Sequence, residues 1–252
     1  KIAQKYIDKI FDKAPERSAQ RNYGMIKLSK GDYVMFVDAD MILGPKVIEG
    51  CVELIESRNY LALHITEIVL GKTYWSCVRR FERSFYEGTV IDGARFFKKT
   101  AFIDVGGFDE DLSGPEDWDI DKKIKKNGKI GLLKKTFRNE EFGEWKLKDY
   151  IAERGVDFNE NFHVIFHNEA EINLKKYLLK KWYYSGSFDK YIAKWGSRDE
   201  DVRSQIGFWY RFLGVFIEKG KWKQLIKSAH LAIGMYLLRV MVGMAFLFRK
   251  PR

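Results

Sequence analysis

The sequence predicts an α/β layered fold: a mixed, mostly parallel sheet with flanking helices, followed by a C-terminal helical extension that is basic and aromatic. Three observations carry that expectation. Segments with helical spacing alternate with short apolar runs over the first two thirds of the chain. One such run, Tyr-Val-Met-Phe-Val at 33–37, is continuous and of strand length, the type buried on both faces of a parallel sheet. Charge is also partitioned: of the formal net charge of +10, residues 171–252 hold 17 Lys and Arg against 6 Asp and Glu, whereas residues 1–170 hold 28 against 29.

Taken in order, residues 2–13 place Ile2, Tyr6, Ile7, Ile10 and Phe11 at helical spacing, with Pro15 beyond, and residues 17–29 read as a second helix. Gly31-Asp32 makes a turn into the apolar run, which stops at Asp38-Ala39-Asp40. A helix over about 45–57 follows, opened by Pro45, and residues 61–70 are apolar and branched enough for a strand. Gly106-Gly107-Phe108-Asp109 and Gly114-Pro115 then lead to Glu116-Asp117-Trp118-Asp119, the start of a helix over 116–127 closed by Asn127-Gly128. From Leu174 onward the spacing is helical, with four of the seven tryptophans.

Composition excludes several classes. Cys51 and Cys77 make no disulfide framework, zinc site or redox dithiol, and fit a reducing compartment. The basic tail raises a nucleic-acid reading, but no RNP-like strand, zinc pattern or recognition-helix motif accompanies it, so no nucleic acid is expected.

Two aspartates one residue apart after an apolar strand lie at the carboxyl edge of a sheet, where open α/β folds bind ligands. Such a pair also caps helices, but it suits a diphosphate held through Mg²⁺ or Mn²⁺, because carboxylate oxygens take hard cations while phosphates complete the shell. Acids in a first helical turn, such as Glu116, Asp117 and Asp119, are ordinary capping residues as well.

Taken together, Arg21-Asn22-Tyr23-Gly24, Gly31-Asp32-Tyr33 and Phe36-Val37-Asp38-Ala39-Asp40, with Pro45 beyond, resemble the centre of family 2 glycosyltransferases of the GT-A (nucleotide-diphospho-sugar transferase-like) fold. Gly106-Gly107-Phe108-Asp109-Glu110 and Glu116-Asp117 resemble that family's GGFDE segment and ED motif, so the likeness spans roughly residues 17–130. It implies an inverting, metal-dependent hexosyltransferase that moves a sugar from a nucleotide-diphosphate sugar to a hydroxyl or phosphate acceptor. By the same resemblance Asp117 is the general base with Glu116 an orienting neighbour, Asp40 is the direct metal ligand, Asp38 lies nearer the donor ribose, and Arg21 helps hold the donor. Arg95, in Asp92-Gly93-Ala94-Arg95, either meets a donor phosphate or faces water; His167 is placed to complete a metal shell, while His64 and His230 read as structural. Family members carry further strands before the helix that opens this chain, so the catalytic region reads as N-terminally incomplete and the base, UDP or GDP, stays open.

The expected division is a GT-A catalytic region over 1–170 and a helical, membrane-associated region over 171–252. Residues 230–248 are overwhelmingly apolar, and at ~1.5 Å each they approach the ~30 Å of a bilayer core. Arg239 sits at the middle, which disfavours a span and favours a helix lying in the interface with that Arg snorkelling; a helix packed on the catalytic region is the third option. Residues 221–252 would then meet the cytoplasmic face of a membrane, next to a glycan or polyprenyl-linked acceptor. Alternatives are an inactive GT-A module with a binding role and a basic nucleic-acid-binding protein.

Overall fold

The computed structural model describes residues 2–13, 15–135, 147–157, 163–169 and 172–247. Helix α1 (Arg17–Asn22) continues as a π-helical turn (Tyr23–Leu28), so the helix expected over 17–29 forms, burying Ser18, Ala19 and Met25. Strands β1 (Tyr33–Met35) and β2 (Met41–Leu43) flank the two aspartates, and α2 (Val47–Arg58) ends on Asn59 at φ 51°, a left-handed residue type that tolerates the position. Then come β3 (Ala62–Ile65), β4 (Glu67–Val69) and α3 (Tyr74–Ser84), the last capped by the Thr73 side chain. Strand β5 (Phe96–Lys98), α4 (Lys99–Asp104), α5 (Glu116–Asn127), β6 (Ile130–Leu133), α6 (Lys148–Ala152) and β7 (Ile165–His167) follow.

The strands form two mixed sheets, ordered β1-β5-β3-β6 and β2-β7-β4. Only β3–β6 and β4–β7 are parallel; β1–β5, β3–β5 and β2–β7 are antiparallel, so antiparallel ladders outnumber parallel ones among the described strands. Two sequence expectations are corrected here. Strand β1 is not a central parallel strand: within the described sheet it is an edge strand beside β5, with alternating burial. Residues 61–70 are not one strand: the chain passes from one sheet to the other at Thr66, whose N–H donates to Leu133 in the first sheet and whose carbonyl accepts from Ile165 in the second. That switch delivers Glu67 to the seam between the sheets.

One core, formed by Val34, Phe36, Phe97, Phe102, Phe108, Ile120 and Ile124, lies beneath α4 and α5. Below α5, His64 is buried with its Nε2 2.6 Å from Asp121, an ion pair that ties α5 to β3. The helix expected over 2–13 is absent apart from one 3₁₀ turn (Ala3–Lys5), and Ile2, Tyr6, Ile7, Ile10 and Phe11 are exposed: the spacing is helical, but a short amphipathic stretch gains little without a surface to bury against.

The C-terminal segment is helical, as expected: α7 (Leu174–Tyr184), α8 (Phe188–Trp195), α9 (Glu200–Ile206), a π-helical turn (Tyr210–Gly214), α10 (Val215–Ile217), α11 (Trp222–Lys227) and α12 (Ala229–Leu247). Helix α12 packs on α3 and α7, and Val215, Phe216, Met235 and Leu238 share a core with Val78, Phe85 and Tyr86. Arg239 does not snorkel. It is buried, its Nη2 donates to the Tyr86 hydroxyl at 3.0 Å and its Nη1 lies 3.7 Å from Glu82, so the carboxylate supplies the counter-charge that lipid headgroups were expected to give. Among the described residues no helix is long and apolar enough to cross a membrane; Arg249, Lys250 and Arg252 lie outside them.

Candidate active site

Antiparallel register assembles the site. Met35 of β1 opposes Phe96 of β5, so Arg95 at the start of β5 comes beside Asp38 just past the end of β1, with Arg95 Nη1 3.7 Å from Asp38 Oδ2. In the second sheet Met41 opposes His167, and the Asn168 N–H donates to the Asp40 carbonyl at 2.7 Å. That register sets His167 Nε2 3.2 Å from Asp40 Oδ2. Asp117 arrives from the first turn of α5, against the Gly93 backbone, where a Cβ would stand 2.8 Å from Asp117 Cβ.

Arg21 joins these parts. Its guanidinium lies 3.8 Å from the centroid of Phe36, donates through Nη2 to Asp38 at 3.0 Å and through Nη1 to Asp117 at 3.2 Å. Asp38 and Asp117 are each about one third exposed and Asp40 is 52% exposed, so all three open to solvent while Arg21 is nearly covered. Burial alone would raise the Asp38 carboxyl; Arg21 and Arg95 outweigh it and hold that group below its usual range. Glu116 is buried instead, paired with Arg17 and 3.8 Å from Arg21; burial, then the neighbouring Asp117, push its carboxyl up. It underpins the site rather than lining it. Arg95 is buried and faces the site, not water.

The seven residues singled out in the sequence, Arg21, Asp38, Asp40, Arg95, Glu116, Asp117 and His167, thus fall along one continuous ionic network. Its hub was not foreseen. Glu67 is buried at the seam, accepting from Arg83 at 2.9 Å and Arg95 at 3.1 Å through one oxygen, with the other 2.7 Å from His167 Nδ1. The signal was present as the lone acid in the apolar run at 61–70.

The donor set bears on a divalent cation. Burial opposes charge on His167, but Glu67, Glu169 and Asp40 around it prevail and raise its ring above the ordinary value. A histidine oriented by one carboxylate and aimed at another is the arrangement that orients a ligand for a metal, which binds in place of the proton. Among the described residues no group of three His, Cys, Asp or Glu closes a site, because Asp38 is turned to Arg21 and Arg95. The pair Asp40 and His167 fits a cation that takes the rest of its shell from phosphate and water, not a closed protein cage.

The family model described as glycosyl transferase family 2 matches residues 1–108, a stretch that carries Arg21, Asp38, Asp40 and Arg95 and ends before Glu116, Asp117 and His167. No curated protein matches the chain. Through residues 1–108 the chain is similar to glycosyl transferase family 2, whose members pass a sugar from a nucleotide-sugar donor to an acceptor.

Proposed function

We propose that the protein catalyses inverting, divalent-metal-dependent transfer of a hexosyl group from a nucleotide-diphosphate sugar to a hydroxyl of a lipid-linked acceptor at the cytoplasmic face of a membrane. The observation that carries this reading is the facing of Asp38 and Asp117 across Arg21, with the Asp40–His167 pair on the neighbouring sheet. Asp117 takes the proton of the acceptor hydroxyl as its oxygen attacks the anomeric carbon from the face opposite the nucleotide. A base so placed contributes about 10²–10⁴-fold. Arg21 and Arg95 hold Asp38 in its charged form and present cations to the donor phosphates, while Glu116 steadies Arg17 and Arg21 from below. Mg²⁺ or Mn²⁺ held by Asp40 and His167, with Asp38 toward the ribose, would neutralise the leaving diphosphate.

The membrane part of the reading draws on α12. Ile233, Leu237, Val240 and Met244, spaced at four, three and four residues, are exposed along one outward stripe, and Lys223 and Lys227 lie exposed on α11 beside it. In this reading residues 1–170 do the chemistry and 171–252 keep it at the surface to which its acceptor is confined.

The test is calorimetric titration of UDP and GDP into the chain with and without Mn²⁺, together with transfer assays. Metal-dependent binding of one nucleotide is expected, lost in Asp40→Ala; Asp117→Asn should keep binding and lose transfer by about 10²–10⁴-fold. Equal loss of donor binding in both variants would sink the division of roles, and no binding to the folded chain would sink the donor site.

A further inference from the structure

A second ionic cluster lies where α3, α7, α12 and the π-helical turn meet, and its charges do not balance. Four cations, Arg79, Lys181, Arg211 and Arg239, surround two acids. Glu169 takes two arms of Arg79, at 3.2 and 3.0 Å. Glu82 takes the third arm of Arg79, lies 3.7 Å from Arg239, and accepts from the Tyr86 hydroxyl at 2.6 Å. Both carboxylates are thereby spent on two arginines. The Arg211 side chain makes no hydrogen bond or ion pair among the described residues: its guanidinium faces the Tyr86 ring at 5.9 Å and the Trp118 ring at 6.0 Å, and its Nη1 is buried without an acceptor. Arg239, only 6% exposed, has its Nε buried and unpartnered as well. Lys181 meets the Tyr177 ring at 5.4 Å and makes no ion pair among the described residues, with Glu82 and Glu169 acting on it only at longer range. Burial, with Arg79 and Arg211 beside it, pushes its ammonium down to about 7.

Enclosed guanidinium donors without an acceptor are unfavourable, and an anion with several oxygens is the partner that meets them. The planar fork of arginine matches phosphate, and a lysine adds a mobile point charge. The place is informative too. Trp118, under Arg211, adjoins Asp117, and Glu169 lies 3.8 Å from His167, so the cluster abuts the candidate site. Helix α12 supplies Arg239 from its inner face and the apolar stripe of Ile233, Leu237, Val240 and Met244 from its outer one.

We infer that Arg211, Arg239 and Lys181 form a phosphate subsite for the acceptor, holding a phosphate that the acceptor carries apart from its attacking hydroxyl. The acceptor role rests on the transferase reading above; the binding of phosphate does not. The same chemistry is offered by a lipid-borne phosphomonoester and by a soluble phosphate, so both are tested. Inorganic phosphate is titrated into the full chain, and flotation is measured with phosphatidylcholine vesicles containing either phosphatidic acid or, at matched charge, oleate. Wild type and Arg211→Leu are compared, with Lys181→Met as a second variant and thermal unfolding as the control for folding.

The expected result is preference for phosphatidic acid over oleate, lost about tenfold or more in Arg211→Leu, the equivalent of one charge-assisted contact. Arg211→Leu should unfold no lower than wild type, since it removes a half-buried cation whose Nη1 has no acceptor, and Lys181→Met should show a smaller loss of binding. Phosphate binding without vesicle preference assigns the subsite to a soluble phosphate ester. Equal phosphate affinity of wild type and both variants, or no phosphate binding by wild type together with oleate serving as well as phosphatidic acid, overturns the subsite. Loss of nucleotide binding in Asp40→Ala with phosphate binding intact keeps the two claims separate: absence of any nucleotide binding overturns the transferase reading alone.

Discussion

Glu67 is the residue on which the most of the site depends. It is fully enclosed, and burial would raise its carboxyl, but Arg83 and Arg95, with His167 alongside, hold it well below its ordinary value. A depressed folded-state value means that the stabilisation is present above the unfolded carboxyl's value and is lost as pH falls through the folded one. Glu67→Gln would remove the nearest counter-charge from the buried Arg95 and the half-buried Arg83, leaving only Asp38 and Asp92 at 3.7 and 3.5 Å, at a cost of up to ~3–5 kcal/mol. Urea denaturation near neutral pH should show that loss, and the gap between variant and wild type should close on acidification below the usual carboxylate range. A gap that stays constant with pH would mean that packing rather than charge is at stake. Asp38, Asp40 and Asp117 were legible because each sits at a motif position, whereas Glu67 belongs to no motif. Its role arises from a change of sheet at Thr66 that no glycine or proline marks in the sequence.

At the scale of elements, α5 was legible from end to end: Glu116 opens it, Asn127 closes it, and local acids and lysines suit its dipole. What the sequence could not convey is how tightly its first turn is wedged. Gly93 has ordinary backbone angles, yet a Cβ there would meet Asp117 Cβ at 2.8 Å and Cγ at 3.4 Å. Gly93→Ala therefore must push Asp117 away from Arg21 or shift the 92–95 turn, at a cost of ~1–3 kcal/mol in overpacking. A displacement of about 1 Å in a positioned base costs on the order of 10²-fold in turnover. If Asp117 is the base and the β1 and β2 ends hold the donor, as proposed, turnover should fall by about that factor while donor affinity changes little. Matching losses in both would place the damage in the sheet instead of the helix. The two misread elements err for related reasons: residues 2–13 have amphipathic spacing and no surface to receive it, and residues 61–70 have strand composition throughout but split their ladders between two sheets.

For the whole molecule, the charge split legible in composition is resolved by folding in a way that composition could not reveal. The C-terminal segment is not a separate basic appendage: Trp195 donates to Asp119 at 2.8 Å and Lys194 pairs with Asp109 and Asp119, so its cations complete the acids of α5 and of the turn before it. Arg239, the charge that interrupts the apolar helix, is turned inward onto Glu82, and that burial leaves the outer stripe of α12 free of charge. An interfacial helix requires such a face, and each large apolar side chain moved out of water contributes ~1.5 kcal/mol or more. Replacing two of them, in the double variant Ile233→Asp and Leu237→Asp, should weaken co-sedimentation with anionic vesicles by about 100-fold or more. Both positions are over half exposed, so folding stability should change by less than about 0.5 kcal/mol per site. The nucleotide binding proposed at Asp40 should be untouched, because α12 packs chiefly on α3 and α7. If the double variant sediments like wild type, the lysines of α11 alone would have to account for attraction to the surface, and raising the salt should then abolish it within a Debye length's worth of screening; if it no longer sediments at any salt, the stripe is the contact and the acceptor is met there.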